Sequence, residues 1–172
     1  MNAGMPHEAH ERDAQGTIVR FAVLTLSDTR TPQTDVSGRT AREMIIASGH
    51  QVVAHALIAD EPAALRTTLD RWLADEAIDA IITNGGTGIS SRDRTVPTID
   101  SYLELTLPGF GELFRAMSFR EIGGAAMLSR ATAGTARGKL LAALPGSTAA
   151  VTLALRELIL PQVRHVLREL RK

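Results

Sequence analysis

The chain has 172 residues, 44% of them hydrophobic, which is enough for one globular domain with a sizeable core. Nineteen lysine and arginine residues balance nineteen aspartate and glutamate residues, so the net charge carries no footprint of a nucleic-acid or membrane-surface partner. The absence of cysteine excludes a disulfide framework and any thiolate metal site, and it agrees with a reducing cytosol.

In chain order, residues 1–16 (MNAGMPHEAHERDAQG) carry Glu8, Glu11 and Asp13 and no apolar stretch, which predicts a disordered tail rather than a signal peptide or an anchor. His7 and His10 within it read as solvated, titrating side chains in preference to metal ligands. Residues 17–172 are expected to form the single domain. Ile18 to Leu26 (IVRFAVLTL) is a dense β-branched run of buried-strand length that breaks into the polar loop Ser27-Asp28-Thr29-Arg30-Thr31-Pro32. Arg39 to Ser48 has helical spacing and stops at Gly49, a favourable residue just past a helix end. Val52 to Ile58 predicts the second strand. Asp60-Glu61-Pro62 then reads as a cap with proline in the first turn, and Leu65, Leu69, Trp72 and Leu73 mark the core face of a helix ending near Glu76.

Asp79 to Thr83 is the third predicted strand, followed by the glycine loop Gly85-Gly86-Thr87-Gly88 and by Arg92-Asp93-Arg94. Pro97 to Leu105 and Gly111 to Ile122 have helical patterns. Lys139 to Leu144 predicts a further strand, running into Pro145-Gly146-Ser147-Thr148, a helix over Ala149 to Leu160, and a terminal helix opened by Pro161. The alternation of strands and helices predicts an α/β fold, a three-layer sandwich around a mainly parallel, doubly wound sheet. No apolar run approaches the roughly 18 residues of a membrane span, so a soluble protein is expected.

Three polar loops follow strands: Ser27 to Gly38, Asn84 to Arg94, and Pro145 to Thr148. In an open α/β sheet ligands bind outside the carboxyl ends of the strands, so these loops, with Asp60, should share one cleft. Glycines let backbone N–H groups approach an anion, so the Gly85–Gly88 loop reads either as an amide nest for a phosphate or planar ring, or as a tight strand-to-helix turn. It is not a Walker loop, and no G-x-G-x-x-G follows a strand. Ser147 is either an ordinary N-cap or part of a phosphate site. Asp60 and Asp93 are of the kind that holds Mg2+, which takes one or two protein carboxylates and completes its shell with water and substrate phosphates. The alternatives are a helix cap at Asp60 and a surface ion pair between Asp93 and Arg92 or Arg94. No Ser-His-Asp triad is present.

The segments TNGGTGISSRDRTVP, LPGFGELFRAMSFREIGGAAMLSRATAG and LPGST resemble the MoaB/MogA family of molybdenum cofactor biosynthesis proteins, over nearly the whole stretch from Val19 to Leu160. Ser118 to Gly123 (SFREIG) with MLSRATAG is more similar to the MoaB branch. The resemblance implies a molybdopterin-binding fold and, for active members, Mg2+- and ATP-dependent adenylylation of molybdopterin. It implies catalytic, magnesium-holding roles for Asp60 and Asp93. It implies substrate or phosphate contacts from Ser27, Asp28, Ser37, Asn84, Gly85, Gly86, Thr87, Gly88, Pro145, Gly146, Ser147 and Thr148. Asn84 departs from the small residue that often precedes the glycines in the family. A non-catalytic, molybdopterin-holding protein of the same pathway is the alternative. The apolar stretch with Phe110, Leu113, Phe114, Met117 and Phe119 predicts a self-association surface, and the resemblance makes the assembly a homotrimer or a homohexamer.

Overall fold

The computed structural model describes residues 16–172; the expected tail lies outside them except for Gly16. Strands β1 (Arg20–Leu26), β2 (Gln51–Ile58) and β3 (Ala80–Asn84) alternate with helices α1 (Val36–Ala47) and α2 (Pro62–Ala74). After β3 come α3 (Thr95–Asp100), the two-residue β4 (Leu105–Thr106), α4 (Pro108–Ile122) and a 3-10 turn at Gly123–Leu128. The chain finishes with β5 (Thr132–Ala136), β6 (Lys139–Leu144), α5 (Thr148–Ala154) and α6 (Leu160–Leu170). The six strands run in the order β2-β1-β3-β6-β5-β4. The first four in that order are parallel, and β5 and β4 are added antiparallel at one edge.

Strand alternation sorts the core into two layers. From β1, Phe21 and Val23 pack with Ile45 of α1, Phe114 of α4, and Leu155 and Val163 near the C-terminus. The intervening Ala22, Leu24 and Leu26 pack on the opposite face with Leu65, Leu69 and Trp72 of α2 and Ile99 of α3. The expected three-layer arrangement and the core placement of Trp72 are therefore what the chain adopts. Because β1, β2, β3 and β6 point the same way, the loops after them open at one end of the sheet.

Several expected boundaries shift for local reasons. Helix α1 starts at Val36 rather than Arg39, because the Asp35 side chain caps it by accepting the Gly38 N–H at 3.0 Å. The helix expected over Pro97 to Leu105 ends at Asp100, and the chain turns to join the sheet as β4. Strand β5, TAGTA, lacks the large apolar residues that announce a strand, because Gly134 lies against the Leu105 carbonyl where a Cβ would overlap. The last two expected helices are continuous. Pro161 has no N–H to give back along the helix, and the widened turn Leu155–Ile159 absorbs the irregularity. At the hairpin between β5 and β6, Arg137 takes φ 49° and Gly138 φ 71°. Of the residues expected on a self-association surface, Phe114 is core, and Phe110 and Met117 pack partly against it. Leu113 and Phe119 are exposed, and Ile122, Met127 and Leu128 extend the outward apolar surface.

At the opposite end of the sheet from the loops, Asp79 is 6% exposed and accepts from the Arg20 main-chain N–H at 2.9 Å, from Arg20 Nε at 2.9 Å and from Arg171 at 2.7 Å. Burial alone would push its carboxyl up, but the Arg20 bonds and then the Arg20 and Arg171 charges outweigh that and hold it below the ordinary carboxylate range. A depressed folded pKa means that the stabilisation is present above the unfolded value and is lost as pH falls through the folded one. Asp79→Asn should therefore cost about 2 kcal/mol in urea unfolding at neutral pH. The deficit should shrink progressively as both proteins are acidified below pH about 4. A deficit independent of pH would show that the charge of Asp79 is not what matters.

Candidate active site at the strand ends

The cleft forms where β1, β2, β3 and β6 end. Thr83 and Asn84 finish β3 in the fully buried interior, and the chain then leaves the sheet through Gly85 (φ 109°) and Gly86 (φ 62°), conformations that a residue with a Cβ rarely adopts. Space adds a second demand. A Cβ on Gly85 would overlap the Leu26 carbonyl, one on Gly86 would overlap Thr95 Oγ1 and meet Asp60 Oδ1 at 2.5 Å, and one on Gly88 would meet Asp93 Oδ2 at 2.9 Å. The groups that come close to this backbone are thus the protein's own β1 terminus and two carboxylates.

Asp60 does not cap α2. The N-cap position belongs to Glu61, which makes no side-chain cap bond, and the Asp60 carboxylate instead accepts from Thr95 Oγ1 at 3.5 Å. Asp93 pairs with neither neighbouring arginine: its Oδ2 accepts the Ser90 N–H at 2.8 Å. The Arg92 guanidinium reaches Asp28 Oδ2 at 2.7 Å, while Asp28 Oδ1 accepts the Asp60 N–H at 3.0 Å. Asp28, Asp60 and Asp93 therefore converge from the ends of β1, β2 and β3. Burial pushes the Asp60 carboxyl above its ordinary value, the charges of Asp93 and Asp28 push it further, and Thr95 and Arg92 oppose the rise only in part. This is hard oxygen chemistry with surplus negative charge, and it fits a magnesium ion that would draw its remaining ligands from water and a phosphate substrate. Among the described residues no group of three or more His, Asp or Glu side chains is arranged to hold a metal by itself.

The remaining predicted residues fall into two sets. Gly146 faces the glycine loop, where a Cβ on it would lie only 3.3 Å from Gly85 Cα. Ser147 caps the helix that begins at Thr148 by accepting the Ala150 N–H at 3.2 Å, and it stays exposed, as Pro145 and Thr148 are in part. Ser37 and Asn84 lie behind the surface: Ser37 Oγ donates to Asn84 Oδ1 at 2.8 Å, and Asn84 Nδ2 donates to Thr25 Oγ1 at 3.0 Å and to the Leu24 carbonyl at 3.2 Å. Thr87 is buried, and Ser27 Oγ accepts the Thr29 and Arg30 N–H groups of its own loop.

Four other residues build the site without having been singled out from the sequence. Thr25 donates to Asp35 Oδ2 at 2.7 Å, Asp35 caps α1, and Thr95 meets Asp60. Arg130 straps the glycine loop, Nε donating to the Thr87 carbonyl at 3.2 Å and a terminal nitrogen to the Asp93 carbonyl at 2.7 Å. Their signal in the sequence was only proximity to the motifs: Thr95 follows RDR, and Arg130 lies in MLSRATAG.

Residues 22–165 match the family model described as a probable molybdopterin binding domain. The molybdenum cofactor biosynthesis protein B of Halalkalibacterium halodurans is 47% identical over 98% of this chain and 99% of its own. That of Bacillus subtilis is 44% identical over the same shares. Among solved structures, a molybdenum cofactor biosynthesis protein B superposes with a TM-score of 0.88 at 41% identity, covering 90% of this chain and 97% of that one. The tungsten cofactor synthesizing protein MoaB from Pyrococcus furiosus superposes with a TM-score of 0.82 at 34% identity, covering 91% and 99%.

The crowding at Asp60 has a consequence for stability. A carboxyl whose folded pKa is raised favours the fold below its unfolded pKa, and that contribution is lost as pH rises through the folded value. Asp60→Asn keeps an acceptor for Thr95 and removes the charge. It should raise the thermal midpoint of the ligand-free protein at neutral pH by about 2–4 °C, and the gain should vanish near pH 3, where wild-type Asp60 is itself protonated. A lower midpoint for the variant at neutral pH would show that the ionised Asp60 supports the fold.

Proposed function

The chain belongs to the MoaB/MogA family of molybdenum cofactor biosynthesis proteins, and from that premise we propose that it transfers the adenylyl group of ATP to molybdopterin, before molybdate insertion. In this reaction an oxygen of the pterin's terminal phosphate attacks the α-phosphorus of ATP. The bond from that phosphorus to the bridging oxygen of the β-phosphate breaks, and pyrophosphate leaves with the electron pair. The observation that carries the reading is the convergence of Asp28, Asp60 and Asp93 around glycines that leave no room for a side chain. Such crowding disfavours the fold by itself and makes sense as a place where positive charge is received.

Phosphoryl chemistry of this kind depends on positioning and charge neutralisation more than on a nucleophilic side chain. Asp60 and Asp93 would hold Mg2+, which when bound neutralises charge on the triphosphate. Asp28 fixes Asp60 through its main-chain N–H and engages Arg92. Arg130 ties the Thr87 carbonyl of the glycine loop to the Asp93 carbonyl, so that Asp93 keeps its place. Gly85 and Gly86 with Pro145, Gly146, Ser147 and Thr148 offer a backbone-lined surface for the pterin and its phosphate. Ser27 shapes the neighbouring turn, and Ser37, Asn84 and Thr87 support these loops from within.

We further propose a homotrimer or homohexamer, acting in the cytosol where ATP is supplied. Phe119 is 62% and Met127 79% exposed, and with Leu113 and Ile122 they form the kind of apolar surface that a second copy covers. Light scattering at micromolar concentration should give the mass of three or six chains; a monomeric mass rejects the assembly.

Asp93→Asn and Asp60→Asn keep size and hydrogen-bonding capacity but remove the charge that a hard dication requires. Each variant should still bind molybdopterin and should lose adenylyl transfer by about a hundredfold or more, the scale on which loss of one transition-state charge stabiliser is felt. Asp93→Asn should be the more severe. Transfer at the wild-type rate by both variants would remove the carboxylates from the chemistry. Molybdopterin binding by a wild type that never transfers would instead support a holding role in the pathway.

A further inference from the structure

The loop after β1 contains a cation that none of the roles above uses. Arg30 is 28% exposed at its side chain and spans two loops: one terminal nitrogen donates to Ser37 Oγ at 2.7 Å and the other to the Gly146 carbonyl at 2.7 Å. Its own N–H is held by Ser27 Oγ at 3.2 Å, so the side chain starts from a fixed turn. A Cβ on Gly146 would lie 3.7 Å from Arg30 and 3.3 Å from Gly85 Cα, which places the guanidinium where the glycine loop and the Pro145–Thr148 loop meet.

We propose that Arg30 is the residue that recognises the terminal phosphate of the pterin substrate, with its guanidinium pre-oriented by Ser37 and the Gly146 carbonyl. This inference rests on the molybdopterin reading above and adds a specificity determinant to it. A guanidinium has five N–H donors; two are engaged by Ser37 and Gly146, which leaves three, the Nε–H among them. Its ion-pair partner Asp35 stands 3.6 Å away, beyond hydrogen-bond distance, and also accepts from the Thr25 hydroxyl and the Gly38 N–H. The charge of Arg30 is therefore only loosely compensated within the protein.

Three other arginines near the cleft are differently disposed, and Arg94 lines a separate recess with Pro62, Arg66 and Pro97. Arg92, 75% exposed, is paired with Asp28 at 2.7 Å, and Arg130 is bound to the Thr87 and Asp93 carbonyls. Both lie with the carboxylate cluster. Arg30 is the one of these arginines that bonds to the Gly146 carbonyl, beside the exposed Ser147. A planar fork matches phosphate oxygens with paired charge-assisted bonds, and a fork already held in place loses less conformational freedom when it makes them.

The test is an equilibrium titration without ATP, following pterin fluorescence, of the full-length wild type, Arg30→Gln and Arg30→Lys. Each is titrated with molybdopterin and with its enzymatically dephosphorylated form. Wild type should prefer the phosphorylated pterin by about 30-fold, the scale of hydrogen bonds to a charged group. In Arg30→Gln the preference should fall to within about threefold, through weaker binding of the phosphorylated form only. Arg30→Lys, which keeps the charge and loses the planar fork, should retain less than about tenfold. A strut that merely joins two loops would weaken both pterins alike, and that result overturns the proposal. Full preference in either variant, or none in wild type, overturns it as well while leaving the molybdopterin reading in place. Failure of wild type to bind either pterin removes both.

Discussion

The approach of the Asp60 carboxylate to the backbone of Gly86 is the contact on which the architecture of the cleft depends. It requires a residue without a Cβ at a positive φ, it turns the chain sharply at the end of β3, and it brings Asp93 back beside Gly88. It also leaves Asp60 under pressure from burial and from its carboxylate neighbours. Such an arrangement persists because the surrounding fold over-determines it: Leu26 packs against Gly85, Thr95 meets Asp60, and Arg130 ties the far end of the loop. Local instability at a strand-end cleft, held by a rigid doubly wound sheet, is the physical signature of a site prepared for a charged ligand.

A second tier of buried polar groups makes that rigidity possible. From the ends of β1 and β3, Thr25 and Asn84 bond each other, Asn84 bonds Ser37, and Ser37 receives Arg30, which reaches the loop after β6. Asp35 joins the network through Thr25 while capping α1. The links among Thr25, Asn84, Ser37 and Asp35 are satisfied hydrogen bonds away from water and fix the loops after β1 and β3 relative to one another, while the partly exposed Arg30 bridges outward to the loop after β6. Asn84 belongs to this tier: with a smaller residue at its position, Ser37 would lose its acceptor and Thr25 a donor.

What could be read from the sequence followed the strength of its periodic signal. The runs at Phe21 to Leu26 and Lys139 to Leu144, and the helix carrying Leu65, Leu69 and Trp72, bury large side chains at regular intervals, and they located the sheet and two of its loops correctly. Strand β5 was not legible, since TAGTA is recruited to the sheet by close packing of small residues and not by apolar alternation. Nor could a linear pattern separate the exposed Phe119 from the buried Phe114 on one helix. At the site, the motif residues Asp60, Gly86 and Asp93 are brought together, whereas Ser37 and Asn84 proved to be interior. Arg30 and Arg130 act across 116 and 37 or more positions of sequence, and a contact of that kind has no local signature.

The proposed reaction of this cleft is the joining of AMP to molybdopterin. The most direct measurement incubates the full-length chain with magnesium, molybdopterin and ATP labelled at the α-phosphorus, and follows label on the pterin together with free pyrophosphate. Both should appear together, in equal amounts, and only when molybdopterin is present. Binding of both substrates with no label reaching the pterin would contradict the proposed reaction.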